Sequence, residues 1–343
     1  HAPECGRSGR RIEDLRFVSG RGTYIDALPA EGQLVGHVLR SPIAHARIAG
    51  IDASAAGAMP GVLRIYTAAD LLAAGIGPLP CVAAGIPSVD PIHVPPHPAL
   101  AHERVRHVGE PVAFVVAESL DEARGAAEAI EVSYDELPAA ILLEEAMAEG
   151  AAQIWPQAPG NVSFRYLRGD REAVASAIAR AAHVVTLELD NNRVVAAPLE
   201  PRGAIASYDP AEERFLLTLS GASVHDIRDQ LCADIFRIPP DRIAVATPDV
   251  GGGFGPKNIP YPEYVPLLLA ARDLGRAVRW ISDRSEDFLS TAQARANRTR
   301  ARLALDADGR FLALDIETLA DMGAYLSALG PGIPTTSAAN AMG

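Results

Sequence analysis

Residues 111–134 read PVAFVVAESLDEARGAAEAIEVSY and carry the clearest succession of local structure in the chain. Pro111–Ala117 is an unbroken apolar run rich in β-branched residues, which is typical of a buried strand. Ser119, followed three positions later by Glu122, forms a capping box that begins a helix. Strand character returns at residues 131–134. We interpret the stretch as a βαβ unit of short elements.

The same alternation of strands and helices continues on both sides of this unit. A strong hairpin signal is Asp308-Gly309 between two alternating runs. The pattern predicts a mixed α/β (α+β) fold. Strands are predicted at residues 61–66, 183–189, 203–208, 215–219, 243–247, 278–281, 302–306 and 310–318. Helices are predicted at residues 67–74, 171–182, 224–236 and 263–274. Thr67 could cap the first of these, and Gly275 is expected to end the last.

The length of 343 residues favours about two domains, at roughly 150 residues per domain. Residues 1–20 are polar and Arg-rich, and we interpret them as a partly extended arm. Residues 146–160 contain Pro156 and Pro159 and are predicted to link a first domain, residues 21–145, to a second one, residues 161–343.

Charge and cysteine content exclude several classes of protein. The net charge of −12 argues against bulk nucleic-acid binding, which needs a cationic surface. Cys5, Cys81 and Cys232 are odd in number and widely spaced, so we predict neither a disulfide framework nor a zinc site of the CxxC type. With no signal peptide at the start and no run of 18 apolar residues, the chain is predicted to be cytoplasmic.

Residues 250–257, VGGGFGPK, form a glycine loop between a predicted strand and a predicted helix. Four glycines in five residues let the backbone approach a ligand closely and present N–H groups to an anion. Pro256 stands where a P-loop or a Rossmann fingerprint needs glycine, which argues against a nicotinamide-dependent dehydrogenase. A glycine-rich turn with only a packing role remains the alternative.

A second strand-to-helix junction is Ser220-Gly221-Ala222-Ser223. Its amides suit an anionic ligand at a helix N-terminus, although the sequence alone favours an ordinary helix start capped by Ser223.

Other polar groups have structural interpretations. Pro95-Pro96 prevents the helix that would align His93, His97 and His102 on a metal, so no zinc site is predicted. His45, His107 and His225 are interpreted as structural hydrogen-bonding groups. Glu200 and Arg202 are interpreted as a rigid ionic turn at residues 198–202. The start of a salt-bridged helix is the interpretation of Arg284, Glu286 and Asp287.

Several segments, in order along nearly the whole chain, resemble the molybdenum-containing hydroxylases. This family includes xanthine dehydrogenases, aldehyde oxidases and the large subunit of aerobic carbon monoxide dehydrogenase. The resemblance implies an α/β hammerhead domain at residues 21–145 and the first part of a molybdopterin-binding domain at residues 161–343. The segments are SPIAHARI (41–48), VRHVGEPVAFVVAESLDEARGAAEAIEVSYDELPA (105–139), APLEPRGAIASYDP (197–210), ATPDVGGGFGPK (246–257), WISDRSEDF (280–288) and DMGAYLS (321–327).

The resemblance implies a molybdenum cofactor and a reaction class. The cofactor is expected to be a molybdopterin, in its cytosine dinucleotide form, and the reaction an oxidative hydroxylation of an aldehyde, an N-heterocycle or CO. No ferredoxin-type cysteine spacing is present, so the 2Fe-2S clusters and FAD are expected on partner subunits. Phe254 is expected beside the substrate. The residues expected to bind the cofactor are Gly251, Gly252, Gly253, Phe254, Gly255, Gly221 and Ala222.

Two departures from the family pattern matter. Ala222 stands where many members have a glutamine that reaches the metal's oxygen ligand, and alanine has no side-chain donor. The sequence stops at Gly343, before the later half that supplies the general-base glutamate. We therefore expect no catalytic base in this chain, no activity of the chain alone, and a second molybdopterin-binding half or polypeptide as partner. The alternative is a non-catalytic scaffold or assembly paralogue of the same fold.

Overall fold

A computed structural model describes residues 11–29 and 32–337. Half of the predicted arm, residues 1–10, therefore lies outside the described residues, and its other half contains the short helix α1 (Asp14–Val18). The strands are β1 (Leu34–Arg40), β2 (Ala46–Asp52), β3 (Val62–Thr67), β4 (Arg104–Val105), β5 (Pro111–Ala117), β6 (Glu131–Glu136), β7 (His183–Asn191), β8 (Gly203–Asp209), β9 (Arg214–Leu219), β10 (Ile243–Ala246), β11 (Val278–Ile281), β12 (Asn297–Leu305) and β13 (Phe311–Ala320). The other helices are α2 (Ser54–Gly57), α3 (Ala68–Ala73), α4 (Leu120–Glu128), α5 (Leu143–Ala146), α6 (Arg171–Arg180), α7 (Val224–Gln230), α8 (Tyr264–Leu274) and α9 (Arg284–Ser290).

A seven-stranded sheet in the order β10-β9-β8-β11-β1-β5-β3 forms the centre of the fold. Its strands come from both sides of residues 146–160, because β1 pairs parallel with β11, with Leu34 opposite Val278, and antiparallel with β5. The largest core cluster packs on this sheet and includes the buried side chains of Phe114 and Trp280 and most of α8. The two predicted domains thus share one sheet and one hydrophobic core.

The predicted βαβ unit has the expected elements but not the expected sheet. Ser119 caps α4 by accepting a hydrogen bond from the Glu122 amide, as predicted. β5 and β6, however, belong to different sheets, because β6 pairs with β2 in the separate sheet β4-β2-β6. The burial pattern explains this: every residue of β5 is buried, whereas β6 exposes Glu131, Ser133, Asp135 and Glu136 and suits a sheet with one solvated face.

Most other sequence-predicted elements are confirmed. Thr67 and Asp70 form a capping box at α3, and Gly275 ends α8 with φ of 62°. β12 and β13 form the hairpin around Asp308-Gly309. The predicted cap at Ser223 is wrong, because this residue has φ of 49° instead of the extended backbone of a capping residue, and its side chain makes no cap. The helix predicted at residues 224–236 is divided in the structure. Its first part is α7, and its second part is a π-helical segment, Leu231–Phe236.

A buried network of ionic groups lies at the edge of the large sheet where β1 ends and β8 begins. The Arg202 guanidinium is fully buried and donates to both Glu263 carboxylate oxygens, at 3.0 and 3.2 Å. Arg40 of β1 donates to Glu263 and to Glu286, each at 2.7 Å. The Tyr261 ring lies 3.8 Å from the Arg202 guanidinium carbon. A carboxylate is thus shared between cations from before and after residues 146–160.

These contacts correct one interpretation and support another. Glu200 and Arg202 do not form an ionic turn with each other, because Arg202 points into the Glu263 network. The α9 start is the predicted salt-bridged helix start: Asp283 accepts from the Glu286 amide at 2.8 Å, and Arg284 donates to Asp287 at 3.4 Å.

No helix among residues 11–29 and 32–337 is long and apolar enough to cross a membrane.

Replacing Glu263 by glutamine should destabilise the protein by about 3–5 kcal/mol, because it leaves two buried guanidinium groups without their shared counter-charge. Chemical denaturation of the purified chain measures this. The matched control is Glu118→Gln, which breaks a solvent-exposed pair with Arg276 and should change stability little. If the two substitutions lowered stability equally, Glu263 would contribute no more to stability than a solvent-exposed ion pair does.

The same network predicts a pH dependence of stability. Burial raises the pKa of Glu263, but the attraction of Arg202 and Arg40 outweighs it and lowers that pKa to about 2, from an ordinary value of 4.5. Its contribution to stability is therefore fully present above about pH 4.5 and is lost as the pH falls towards 2. Burial raises the pKa of Glu286, so protonation of Glu286 partly offsets this loss.

Denaturant titrations between about pH 6 and pH 3 should show a shallower fall of stability in Glu263→Gln than in the wild type. Glu286→Gln should show a steeper fall. Parallel curves for all three proteins would refute the assignment.

Candidate functional site

The glycine loop follows β10 and ends in a short turn of 3-10 helix, Pro256–Asn258. Helix α8 begins only at Tyr264, so its N-terminus does not meet the glycines as it would in a Rossmann fold. The loop turns through left-handed backbone at Gly252, Phe254 and Gly255, with φ of 105°, 49° and 98°. Two of these three positions are glycines, which take such angles without strain.

A buried lysine lies directly behind the loop. Lys257 is the only lysine in the sequence, and its side chain is fully buried. Its Nζ donates to the Glu200 backbone oxygen at 2.7 Å, to the Ser220 Oγ at 2.6 Å and to the Glu200 Oε2 at 3.3 Å. Burial lowers the pKa of Lys257, and the Glu200 carboxylate opposes that shift. The ammonium group is thus satisfied entirely by two neighbouring loops.

The Glu200 carboxylate gathers the chain segments that surround the glycine loop. Its Oε2 accepts from the Gly251 amide at 2.8 Å and from the Ser220 hydroxyl at 2.5 Å, and its Oε1 accepts from the Ile25 amide at 3.2 Å. The Glu200 amide in turn donates to the Gly251 oxygen at 3.2 Å. Lys257 and Ser220 were not predicted as site residues. A single lysine in an arginine-rich chain, next to four glycines, was the signal that could have found Lys257.

The predicted glycines fall into two groups. Gly221 and Gly251 are packed against protein: an added Cβ would lie 2.2 Å from Leu219 Cδ1 and 2.5 Å from Glu200 Cβ, respectively. Around Gly253 and Gly255, no atom of the described chain lies within 4 Å of such a Cβ. The first two glycines therefore permit close packing, whereas the other two face open space.

The open part of the loop presents unsatisfied backbone donors. Within the described ranges, the amides of Gly252, Gly253, Phe254 and Gly255 find no acceptor. The Phe254 side chain is 76% exposed. Successive free amides in a glycine-rich turn form a concave site suited to an anion.

The loop at residues 220–223 supports the glycine loop from one side. The Ala222 amide donates to the Lys257 oxygen at 3.1 Å, and the Thr247 hydroxyl donates to the Gly221 oxygen at 3.0 Å. The Ser220 hydroxyl is engaged with Lys257 and Glu200. Ala222 itself is exposed and offers no side-chain donor. The fold therefore brings Gly221 and Ala222 next to the glycine loop, but their backbone groups named here are bonded internally.

The N-terminal segment holds the start of the glycine loop. Arg16 forms an ion pair with Asp249 through both guanidinium nitrogens. The Thr23 amide donates to Asp249 at 2.7 Å, and the Asp249 amide donates to the Thr23 oxygen at 3.0 Å. The Arg16 hydrogen bond, helped by Thr23, holds the pKa of Asp249 well below its usual range. The described half of the arm is thus tied, through Arg16, to the start of the glycine loop.

Two of the histidines considered in the sequence have structural contacts of their own. His97 stacks on Tyr325 with ring centroids 4.2 Å apart, and His45 Nδ1 contacts the Pro138 oxygen at 2.7 Å. No group of three or more His, Cys, Asp or Glu side chains in the described part of the chain is placed to hold a metal ion.

The burial of the only lysine gives a direct assay of this arrangement. With an excess of acetic anhydride at about pH 8, the folded chain should be modified at its N-terminal amine, while Lys257 reacts only after unfolding. Ser220→Ala removes one acceptor of the ammonium and should raise the rate of Lys257 modification, measured by mass spectrometry. The control Ser88→Ala alters an exposed hydroxyl far along the chain and should leave that rate unchanged. Rapid acetylation of Lys257 in the native wild type would contradict the buried cluster.

Comparison with known proteins agrees with this architecture. The family model of the molybdopterin cofactor-binding domain matches residues 154–343, more than half of the chain. The model of the aldehyde oxidase and xanthine dehydrogenase a/b hammerhead domain matches residues 19–138.

Individual relatives belong to the same group. The chain is 34% identical to the carbon monoxide dehydrogenase large chain of Hydrogenophaga pseudoflava, covering 93% of this chain and 40% of that protein. It is 36% identical to the nicotine 6-hydroxylase large subunit of Paenarthrobacter nicotinovorans, covering 93% and 38%. The chain thus spans about two fifths of the length of these relatives.

Solved structures share the fold. CO dehydrogenase from Oligotropha carboxidovorans aligns with a TM-score of 0.81 at 34% identity, over 90% of this chain and 39% of that one. Quinoline 2-oxidoreductase from Pseudomonas putida 86 aligns with a TM-score of 0.80 at 39% identity, over 91% and 39%. On the family models and these relatives, the chain belongs to the molybdenum hydroxylase family, as a hammerhead domain followed by a molybdopterin cofactor-binding domain.

Proposed function

We propose that this chain forms part of the catalytic subunit of a molybdenum-dependent oxidoreductase that hydroxylates an aldehyde, an N-heterocycle or a CO-type substrate. The observation that supports this most is the glycine loop, whose open amides are held in place from behind by the buried Lys257, Glu200 and Ser220 cluster. The relatives are named as large chains or large subunits of dehydrogenases and hydroxylases.

The residues present fit a molybdopterin. Space is open around Gly253 and Gly255, so a ligand can approach the backbone there, and a side chain at either position would occupy that space. The neighbouring amides are free to donate to an anionic ligand. When bound, the molybdenum cofactor would supply the two-electron redox chemistry that protein side chains lack.

The chain's own residues would orient the ligands of this site. Gly252, Gly253, Phe254 and Gly255 would face the cofactor, and the exposed Phe254 ring would bound the space left for substrate. Gly251, Gly221 and Ala222 would act from behind by fixing the loop. Ala222 offers no side-chain hydrogen bond, so a donor at that position would have to be water or backbone.

The rest of the assembly follows from the family. The cytosine dinucleotide form of the cofactor, an iron–sulfur subunit with 2Fe-2S clusters and an FAD subunit are proposed on this basis, as is a cytoplasmic location. The general-base glutamate is proposed to lie in the remaining molybdopterin-binding half. We retain residues 21–145 and 161–343 as the two domains, joined by residues 146–160.

The test is a glycine substitution that fills the open space without straining the chain. Gly253→Ala should leave the fold intact, because its φ is not in the left-handed region and no protein atom is near. It should lower the molybdenum and pterin content of the protein purified with its partner polypeptides at least several-fold.

The matched control is Gly57→Ala, another open position with ordinary backbone in α2. It should leave metal and pterin content unchanged. Absence of molybdenum from wild-type preparations that contain all the partner polypeptides would refute the proposed function, and equal content in Gly253→Ala would refute the place of the glycine loop in it.

A further inference from the structure

The sheet β13-β12-β7 has one face whose central part consists of aliphatic side chains, with the hydrogen-bonded Thr299 and Thr318 towards one end. The register of the three strands places these side chains on one face. Leu187 lies opposite Ala301, and Ala301 lies opposite Ile316. Side chains two residues away along each strand point to the same face. We call the set the aliphatic face. Its residues are Val185, Leu187, Leu189, Ala301, Leu303, Leu314 and Ile316.

The aliphatic face is open in this structure. Val185 is 57% exposed, Leu187 54%, Leu189 49%, Leu314 50% and Ile316 40%. Contiguous exposed apolar patches of more than a few hundred Å² are rare on proteins that act alone and mark contact surfaces. Scattered exposure does not explain it, since these five side chains lie on β7 and β13, on either side of Ala301 and Leu303 of β12.

The opposite face is built differently. It carries the ion pairs Arg298 with Asp190, at 2.9 Å, and Arg302 with Asp315. Ala304, which belongs to this face, is fully buried, and α6 packs against β12 and β13. This face is therefore partly covered by α6 and carries ion pairs, while the other face presents hydrocarbon to solvent.

The position of the sheet relative to the glycine loop indicates what covers it. Just after the end of β7, Val194 forms a β-bridge with Ala294. The chain then runs to Pro198, whose Cβ lies 3.1 Å from the position that a Cβ atom added to Gly252 would take. The segment that follows β7 thus connects the sheet that carries the aliphatic face to the glycine loop.

We propose that the aliphatic face is the docking surface for the polypeptide that makes up the rest of the relatives' length, the remaining molybdopterin-binding part. The relatives are about two and a half times as long as the portion matched here, since the chain covers 38–40% of them. This inference rests on the proposed function for the identity of the partner. Apolar burial supplies the attraction, and the position of the face places the partner beside the glycine loop.

The test compares the isolated chain with a chimera. In the chimera, this chain replaces the matched portion of the Hydrogenophaga pseudoflava large chain, and the rest of that protein is kept. Hydroxyl-radical footprinting should show at least a fivefold lower oxidation of Leu187 and Leu314 in the chimera. Leu72, an exposed leucine on α3, should be oxidised equally in both. Equal oxidation of the aliphatic face in the two proteins would overturn the proposal.

A matched pair of variants tests the same surface by stability. Leu187→Glu places a charge on the aliphatic face, whereas Thr186→Glu places the same charge on the other face, opposite Arg302. Leu187→Glu should lower the melting temperature of the chimera by several degrees and leave that of the isolated chain nearly unchanged; Thr186→Glu should do neither. Equal effects of Leu187→Glu in both proteins would overturn the proposal.

Sedimentation of the isolated chain tests the other possible occupant of the aliphatic face, a second copy of this chain. A dimer that Leu187→Glu dissociates and Thr186→Glu does not would assign the face to a second copy and overturn the proposal. None of these measurements requires molybdenum. A protected face in a chimera that lacks the metal would leave this inference standing while the proposed function fails.

Discussion

The candidate site depends on the hydrogen bonds and the ion pair that the Glu200 carboxylate makes. It accepts hydrogen bonds from the Gly251 amide, the Ser220 hydroxyl and the Ile25 amide, and it neutralises Lys257. A buried ammonium without a counter-charge is strongly unfavourable, so the loops that supply its partners must stay together. The glycine loop can therefore leave several amides unsatisfied on its outer side, because its inner side is fixed by charge.

A second buried ionic network holds together the sheet beneath this site. Arg202, immediately after the turn that carries Glu200, shares Glu263 with Arg40 of β1. Since β1 pairs with β11 and β5, this network lies where the strands of the two family domains join. The hammerhead domain thus also contributes strands to the sheet on which the glycine loop is built.

Much of the local structure was predictable from sequence, and the reasons are local. The Ser119 and Thr67 caps, the Gly275 helix end and the Asp308-Gly309 hairpin depend on residues within a few positions of one another. Apart from the Ser223 cap, the errors concern partners far apart in the chain. The assignment of β5 and β6 to one unit failed because strand order is set by burial on both faces, and the pairing of Glu200 with Arg202 failed because each side chain reaches a different distant partner.

The sequence by itself determined the family, the order of the elements and the glycine loop, because motifs and periodicity are properties of neighbouring residues. Only the tertiary structure separated the glycines that pack against protein, Gly221 and Gly251, from those that face open space, Gly253 and Gly255. It alone placed the single lysine under the loop and left the aliphatic face of β7, β12 and β13 uncovered. These features depend on which distant segments meet, and that is decided by burial of apolar surface and charge in three dimensions.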